Sequence, residues 1–397
     1  MILRKFQTNL LQIIDIVFHL LPVRGNWIMF TSFWGQYNDN PKYISDYIYK
    51  NNYPVKIFWG ISQQRSKEKL PSYIYVCKYG SIKYLWYKNR CKVIVDNIIG
   101  DYSMYGKNVA NSYKTILKNK KQFNLSTWHG NPIKKIGRDL FGTSFSEVND
   151  FYTTTDVLIC GCKYVYNIFS QTFNGVPSIE LLGSPRCDTM FIKDVDINGL
   201  KRKLHIPIEK KVLLYAPTYR NNPEDSGINQ LKSLDVEYLL NVFKKRFGGE
   251  WVLVFRVHNS VLEALSDNDI FRSGIAYNGN LGDDMMEYMQ ISDAMITDYS
   301  GAIFDYTHTY KPCFLYALDK VHYINEERGV YMDINNLPYI FTETPSDFYS
   351  SILSFDFSEN KKRIDHFNSM IGNVEDGFAS QRAANLIINH LRIEGLK

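Results

Sequence analysis

Residues 294–310 read AMITDYSGAIFDYTHTY, and the change of pattern inside this stretch decides the fold class. Its first five residues, 294–298, form a short apolar run with β-branched residues, as expected of a buried strand. A helical pattern follows near 300–310, and Ser300 is a residue type that often caps the start of a helix. A buried strand that runs directly into a helix is typical of a parallel sheet covered by helices.

The same alternation of strand and helix occupies both halves of the 397-residue chain. Before residue 185 we predict strands at 27–33, 55–59, 92–97 and 157–160, with helices at 41–50 and 163–173. After Gly183-Ser184-Pro185 the pattern restarts, with strands at 211–217, 251–257, 294–298 and 313–318 and helices near 236–246, 283–292, 300–310 and 379–393. The prediction is an α/β protein with two Rossmann-like domains, 1–185 and 186–397, facing across a cleft. The last helix could pack back on the first domain. Parallel sheets bind ligands at the carboxyl ends of their strands, so the cleft is the expected site.

Charge is divided unevenly between these two parts. Residues 1–185 hold 23 of the 46 Lys and Arg residues but only 11 of the 41 Asp and Glu residues, a net charge of +12. Residues 186–397 therefore carry −7, and the two values sum to the net charge of +5. No apolar run approaches twenty residues, which excludes a polytopic membrane protein. Six scattered cysteines, without disulfide or zinc spacing, predict reduced and mostly buried thiols and no metal site.

The first residues predict an amphipathic helix over about 5–22. Its polar residues recur at helical spacing, and apolar residues cover the rest of the surface. Such a helix either packs into a core or lies in a membrane interface. The basic charge of this half adds weight to the membrane interpretation, and both interpretations stay open. The predicted polar face consists of Lys5, Thr8, Gln12, Asp15 and His19.

A histidine, His129, directly follows the strand-like run 123–128 (FNLSTW). His129 would lie at the mouth of the cleft, and Lys134 and Lys135 come shortly after it. Imidazole exchanges its proton near neutral pH, so it suits a general base. The residues alone leave two interpretations open: a base whose neighbouring lysines hold an anionic substrate, or a structural histidine at a strand end.

Two further strands end in cations, at Tyr215–Arg220 (YAPTYR) and Phe255–Asn259 (FRVHN). Together with His129 they describe a basic, hydrogen-bonding cleft suited to phosphates. The helix predicted after Ser300 would add backbone N–H groups at its start. A plain helix cap at Ser300, without a ligand, is the alternative there. We find no G-x-G-x-x-G after the first strand, no Walker A loop and no G-x-S-x-G elbow.

Taken in order, these motifs resemble the CDP-glycerol glycerophosphotransferases of wall teichoic acid synthesis. The resemblance spans nearly the whole chain, and the ordered set is specific although each motif alone is weak. It is carried by Trp128-His129-Gly130 with Lys134, Tyr215–Arg220, Arg256-Val257-His258, Thr297–Ser300, Gly183–Asp188, Lys311-Pro312, Glu327–Gly329, Asp376-Gly377, Gln381-Arg382, and Phe33–Gly35 with Asn38–Pro41.

The resemblance implies a GT-B-type fold and transfer of glycerol phosphate, or a related polyol phosphate, from a CDP-activated donor to a hydroxyl of a lipid-linked glycan acceptor, releasing CMP. The product would be teichoic acid, capsule or a related cell-surface phosphopolymer. By motif position it implies the catalytic residues His129 (the base), His258 and Asp298. The implied substrate-binding residues are Lys134, Lys135, Arg186, Thr218, Arg220, Thr297, Ser300 and Gly301.

The resemblance also implies the partners: CDP-glycerol or a similar CDP-polyol, the lipid-linked acceptor and an anionic membrane surface, with the enzyme peripheral on the cytoplasmic face. No cofactor, metal or nucleic acid is expected. Two positions depart from the family pattern. Gly301 stands where a second serine is usual and Asn259 where proline is common, so one donor hydroxyl contact and one turn are expected to differ.

Two other functions are compatible with parts of the sequence. A GT-B glycosyltransferase using a nucleotide-sugar would have the same fold and cleft. A non-catalytic binder of anionic polymer or nucleic acid would suit the basic half, but the acidic second half and the His and Arg residues at strand ends argue against it, and we find no RNA-binding motif.

Overall fold

The computed structural model describes residues 10–11, 13–62, 70–98, 119–139, 155–173, 175–218, 220, 228–257, 273–281, 284–327 and 329–391. The chain divides into two compact units. The first comprises Met1–His129, Gly137–Asp188 and Val374–Lys397, and the second comprises Gly130–Ile136 and Thr189–Asn373. The chain therefore passes between the units four times, and one of these passages falls directly after His129.

The described residues contain α-helices that alternate with the strands, as predicted. They are α1 (Asp39–Lys50), α2 (Ile82–Arg90), α3 (Lys163–Thr172), α4 (Ile197–Lys203), α5 (Ile228–Lys232), α6 (Val236–Phe247), α7 (Met285–Ile291), α8 (Ala302–Thr307), α9 (Lys320–His322), α10 (Pro345–Leu353), α11 (Phe357–Met370) and α12 (Ala379–His390). Short 3-10 turns cover Gly137–Asp139, Pro185–Phe191, Gly279–Leu281 and Ile334–Asn336, and a π turn covers Tyr323–Glu327.

The first unit is built on a parallel sheet. Its described strands are β1 (Arg24–Phe30), β2 (Lys56–Ile61), β3 (Tyr75–Lys78), β4 (Cys91–Asp96), β5 (Phe123–Ser126), β6 (Val157–Cys160) and β7 (Ser178–Leu181). They lie in the order β3-β2-β1-β4-β5-β6-β7, and every neighbouring pair is parallel. The order reverses between β1 and β4, so the carboxyl ends of these strands are where a Rossmann-like sheet binds ligands.

The second unit repeats this design with the strands β8 (Lys211–Tyr215), β9 (Trp251–Phe255), β10 (Ala276–Asn278), β11 (Ala294–Thr297), β12 (Cys313–Tyr316) and β13 (Phe341–Thr342). Their order is β10-β9-β8-β11-β12-β13, again parallel throughout. The predicted α/β class with two Rossmann-like sheets is confirmed. Four predicted strands, β1, β8, β9 and β12, run two or three residues too far. β1 ends at Phe30, shortly before Phe33 and Trp34 with φ of 37° and 60°, and β8 ends before Pro217, which has no N–H to continue the ladder.

Both faces of the first sheet are covered. Ile28 and Phe30 of β1 point to the face that α12 covers with Ala383 and Ile387. Met29 points to the opposite face, where it packs with residues of α2. This alternation is the two-residue period of a strand, and it explains why the strands read as continuous apolar runs. The last helix thus contributes its buried face to the core of the first unit.

Hydrogen bonds between residues 184–188 and residues 375–380 attach α12 to the first unit. The Glu375 carboxylate accepts the Ser184 N–H at 2.8 and 3.0 Å. The Asp188 carboxylate accepts the N–H groups of Ala379 and Ser380 at the start of α12, at 2.9 and 2.7 Å. The motifs around 183–188 and 376–382 are therefore hydrogen-bonded to each other, and these bonds hold α12 in the first unit.

The N-terminal helix is oriented differently from the prediction. Residues 10–11 and 13–18 are helical, while residues 1–9 and Gln12 lie outside the described residues. Asp15, a residue of the predicted polar face, is 4% exposed and accepts a hydrogen bond from Asn89 Nδ2 at 2.6 Å, with Lys88 Nζ 4.0 Å away. Leu11, Ile14 and Phe18 pack against the sheet. The apolar residues left outward, 47% to 82% exposed, are Leu10, Ile13, Ile16, Val17 and Leu20.

The polar face therefore turns inward at Asp15, because this carboxylate is paired inside the unit. An apolar stripe, defined as Leu10, Ile13, Ile16, Val17 and Leu20, takes its place on the outside. None of the helices in the described ranges is long and apolar enough to cross a bilayer. All six cysteines are buried, as expected.

Candidate active site

His129 follows β5, at the carboxyl edge of the first sheet. Its Nδ1 lies 2.9 Å from the carbonyl oxygen of Asn97, the residue that follows β4. A carbonyl can only accept, so Nδ1 carries the proton and Nε2 is the basic nitrogen of the neutral ring. The ring stacks on Trp128, with centroids 4.4 Å apart, and meets the edge of Phe33 at 5.6 Å. The structure thus fixes both the tautomer and the plane of the imidazole.

The side chain of Asn97 is fully buried and holds the loop after β1. Its Oδ1 accepts the Phe33 N–H at 3.0 Å. Its Nδ2 donates to Ser32 Oγ at 3.1 Å and to Asp39 Oδ2 at 2.7 Å. Every polar position of the amide is used, which sets which end is oxygen and which is nitrogen.

Asp39 joins this loop to the 3-10 turn Pro185–Phe191, which follows β7. Its Oδ1 accepts from Arg186 Nη1 at 2.8 Å, and both side chains are only 7% exposed. Arg186 N–H donates to Asn40 Oδ1 at 3.1 Å, and Asn40 Nδ2 lies 3.3 Å from the carbonyls of Thr127 and Trp128. The guanidinium of Arg186 is buried against this carboxylate, and its predicted substrate-binding role stays a prediction.

The loop after β11 is organised by Asp298 in the second unit. Its Oδ1 accepts the N–H groups of Thr218 and Tyr299 at 2.8 and 2.6 Å, and its Oδ2 lies 2.8 Å from Arg220 Nη2, a close ion pair that lacks the alignment of a hydrogen bond. The carboxylate is 1% exposed. Asp298 therefore joins the ends of β8 and β11, and the catalytic role predicted for it stays a prediction.

Arg220 is equally enclosed. Nε donates to Asp319 Oδ2 at 2.7 Å and Nη1 to the Thr218 carbonyl at 2.7 Å, while the guanidinium lies over the stacked rings of Tyr299 and Tyr323, 5.1 and 4.5 Å from their centroids. Burial works against its charge, but the carboxylates of Asp298 and Asp319 offset this and the pKa of Arg220 is raised. Its predicted contact with a phosphate stays a prediction.

The two threonines of this loop region differ in their hydrogen bonding. Thr297 Oγ1 donates to the Ala216 carbonyl at 2.7 Å, which ties β11 to the end of β8. Thr218 is 6% exposed, and its Oγ1 has no hydrogen-bond partner among the described residues. A buried hydroxyl without a partner is costly, so Thr218 is the stronger candidate for a ligand contact.

The turn into α8 explains the departure at Gly301. Ser300 Oγ accepts the Ala302 N–H at 3.2 Å, while Gly301 occupies the cap position. A Cβ at residue 301 would lie 2.4 Å from the carbonyl oxygen of Asn131, a distance that no side chain tolerates. Glycine is required here because the backbone of 130–136 passes directly over the turn.

The remaining predicted residues lie in two places. Lys134 and Lys135 are half-buried in the segment 130–136, which the second unit holds by a Lys134–Val330 bridge and a hydrogen bond from Lys135 N–H to the Gly329 carbonyl at 3.1 Å. His258 lies outside the described residues. Within the described ranges, no three His, Cys, Asp or Glu side chains come together as metal ligands do.

Sequence reasoning missed four polar residues of these loops. Asn97 and Asp319 each follow a strand, which was the signal used for His129, but that reasoning considered only histidine and arginine at strand ends, and these two residues are an amide and a carboxylate. Asp39 and Asn40 belong to the opening segment of the resemblance and received no function. Their contacts assign them to holding the loops around His129 and, for Asp319, Arg220.

The comparisons agree with the fold and the motif order. Residues 13–389 match the family model of CDP-glycerol:poly(glycerophosphate) glycerophosphotransferase. The teichoic acid glycerol-phosphate transferase of Staphylococcus aureus is 29% identical, over 91% of this chain and 92% of its own. The teichoic acid poly(glycerol phosphate) polymerase of Staphylococcus epidermidis is 30% identical over 92% of this chain, which spans about half (51%) of that protein.

The solved structures give the same picture. The wall teichoic acid polymerase TagF superposes with a TM-score of 0.78 and 26% identity, over 98% of each chain. Structures of TagF include substitutions of two of its histidines, and one of these variants was soaked with CDPG.

Proposed function

The chain belongs to the CDP-glycerol:poly(glycerophosphate) glycerophosphotransferase family, and from this premise we propose that it transfers glycerol phosphate from CDP-glycerol to a hydroxyl of a lipid-linked acceptor in teichoic acid synthesis. The acceptor oxygen forms a bond to the phosphorus that carries glycerol. The bond from that phosphorus to the bridging oxygen breaks, and CMP leaves with the electron pair. No electron is gained or lost overall, and the hydroxyl proton is the only proton that must be moved.

The observation that carries this proposal is the fixed tautomer of His129. Nδ1 donates to the Asn97 carbonyl, so Nε2 is the nitrogen that takes the acceptor proton. The imidazolium that forms keeps its Nδ1–H on a carbonyl dipole, which favours the charged ring as the proton arrives. Stacking on Trp128 keeps the ring from rotating out of this position.

The donor belongs to the second unit in this proposal. Thr218 Oγ1 supplies a buried hydroxyl that lacks a partner in the described part of the chain, and Ser300 and Gly301 bring backbone N–H groups to the start of the turn. Lys134 and Lys135 belong to the segment 130–136, whose Asn131 carbonyl approaches Gly301. His258 follows β9 in sequence and completes the set by motif position. Positive charge and N–H groups of this kind stabilise the pyrophosphate and the departing CMP.

We also propose that the enzyme binds peripherally to the cytoplasmic face of the membrane, where a lipid-linked acceptor is presented. The apolar stripe supports this, because five large apolar side chains at helical spacing point away from the unit while Asp15 anchors the helix from behind. Trp86 of α2, 37% exposed, packs its ring edge on Phe18 beside the stripe. The net charge of +12 in residues 1–185 adds attraction to anionic lipid.

His129→Ala tests the catalytic part of the proposal. We expect CMP release from CDP-glycerol, with lipid-linked acceptor present, to fall about a hundredfold or more, while the Kd for CDP stays within about threefold. The matched control is His366→Ala, which removes an exposed histidine from α11 and should leave turnover unchanged. Turnover retained in His129→Ala would refute the base. Release of a nucleoside diphosphate from a nucleotide-sugar, with no CMP from CDP-glycerol, would refute the reaction.

A further inference from the structure

The hydrogen bonds around His129 form a continuous frame within the first unit. The ring is held at Nδ1 by the Asn97 carbonyl, and the peptide before it is held by Asn40, whose Nδ2 lies 3.3 Å from the Trp128 carbonyl. Trp128 has a φ of 51°, a left-handed conformation that a non-glycine residue adopts only when its surroundings hold it there. The position of the imidazole is therefore maintained by neighbouring residues, because the backbone before it has a conformation that it would not adopt alone.

The two holding points are connected through Asp39. One carboxylate oxygen accepts from the Asn97 amide at 2.7 Å, and the other accepts from Arg186 at 2.8 Å. Arg186 N–H in turn donates to Asn40 at 3.1 Å. Asp39 itself has a φ of 55°, so the backbone is strained at this point as well as at Trp128. Strain that a network of buried hydrogen bonds maintains is typical of a site that needs fixed geometry.

We propose that Asn97 and Asp39 are positioning residues for His129. Asn97 presents its carbonyl to Nδ1 and so fixes the tautomer, and its side-chain amide is locked by Asp39, Ser32 and the Phe33 N–H. Asp39 acts through Asn97. Because its charge is paired with Arg186, it contributes orientation and not a net charge on the imidazole. A backbone carbonyl here does the orienting that a carboxylate does in a Ser-His-Asp triad.

This inference rests on the proposed role of His129, and a double-mutant cycle keeps the two separable. Asn97→Ala should lower kcat about tenfold to a hundredfold, because a misplaced base loses its alignment with the acceptor proton. The KM for CDP-glycerol should stay within about threefold, since the donor contacts lie elsewhere. In the His129→Ala background, Asn97→Ala should lower the residual turnover by less than about twofold, because the group that it positions is gone.

Asp39→Asn should show the same dependence on His129 with the amide framework kept at nearly constant size. It supplies the test if Asn97→Ala does not fold. The matched control is Gln122→Ala, which removes another buried amide of the first unit. Gln122 precedes the start of β5, at the opposite end of that strand from His129, and donates to the Lys88 and Cys91 carbonyls. That variant should lose stability and keep its kcat.

The outcomes separate the role of His129 as base from the positioning role of Asn97. If His129→Ala keeps full turnover, the proposed function fails at its base. If His129→Ala is impaired but Asn97→Ala lowers the residual turnover by the same factor in both backgrounds, the positioning role is overturned and the base stands. If Asn97→Ala folds with an unchanged kcat, the positioning role is likewise overturned.

Discussion

Membrane binding by the apolar stripe can be tested with a double substitution, Ile13→Gln with Val17→Gln. Their exposed fractions are 58% and 53%, so a little over half of each side chain is still available for burial. Full burial of such a side chain is worth about 1.5–3 kcal/mol, which gives about 2–3 kcal/mol for inserting the exposed parts of both. At about 1.4 kcal/mol per factor of ten, the partition coefficient should fall about 30-fold to 150-fold.

The assay is sedimentation with vesicles of neutral and anionic phospholipid, at low salt and again with salt raised. Wild-type binding should weaken as salt rises, because the charge of the first unit contributes to it. The free energy of unfolding should change by no more than about 0.5 kcal/mol, since both side chains already face solvent in the folded state. A partition coefficient within threefold of the wild-type value would refute the reasoning.

The matched control replaces two equally exposed apolar residues of the second unit. Ile192 and Val321 are 56% and 68% exposed, so Ile192→Gln with Val321→Gln removes a comparable apolar area. Vesicle binding of this variant should equal that of the wild type. An equal loss in both variants would show that the stripe has no special part in binding and that general surface hydrophobicity is responsible.

Two further predictions concern the second unit. Gly301→Ser places a Cβ 2.4 Å from the Asn131 carbonyl oxygen and should lower the free energy of unfolding, measured in urea, by about 1–3 kcal/mol. The control Ala302→Ser, one residue further on, should be nearly neutral. Equal urea midpoints for the two variants would contradict the steric argument. Burial lowers the pKa of His308 from 6.5 to about 4, so the unfolded chain takes up the proton first and stability falls as the pH drops from 6.5 towards 4. Between pH 7 and pH 5 the loss should be about 2 kcal/mol, and His308→Gln should abolish it; the same pH dependence in that variant would contradict the assignment.

The sheets were predictable because their strands are buried on both faces. Runs such as 157–160 and 251–255 are apolar throughout, and a buried parallel strand has no other composition available to it. The strands that escaped prediction are exposed or short. The burial pattern of β3 is one buried residue among four, and β13 has only two residues, so neither shows an apolar run. Their places in the sheets are set by neighbours that they pair with and not by their own composition.

The N-terminal helix shows what a periodic pattern leaves undetermined. The spacing of polar residues correctly predicts a helix, but periodicity does not say which face meets the protein. Asp15 turns inward because Asn89 and Lys88 of α2 provide a donor and a charge for its carboxylate, and these residues are more than seventy positions away in the sequence. Only the three-dimensional structure brings them together, so the outward apolar stripe could not be derived from residues 5–22.

The arginines of the motifs show that a residue type alone does not establish a substrate contact. Arg220 was predicted to bind substrate because arginine at a strand end suits phosphate, and Arg186 because of its place in a motif of the resemblance. Both are buried against carboxylates, Asp39 for one and the pair Asp298 and Asp319 for the other. Removing either arginine would leave a buried carboxylate without its partner, at a typical cost of about 3–5 kcal/mol. A loss of activity in such a variant would therefore report a collapsed loop as readily as a lost phosphate contact.

The charge available to an anionic donor is accordingly smaller than a count of motif cations suggests. Arg186 with Asp39 is neutral at a distance, and Arg220 with Asp298 and Asp319 carries a net charge of −1, so neither arginine adds to the positive potential felt by a phosphate. Lys134 and Lys135, the other cations among the predicted residues in the described ranges, are half-buried. Donor recognition in this chain should then depend more on hydroxyls and backbone N–H groups, as at Thr218 and Gly301, than on arginine, and the salt dependence of CDP binding should be weaker than that of vesicle binding.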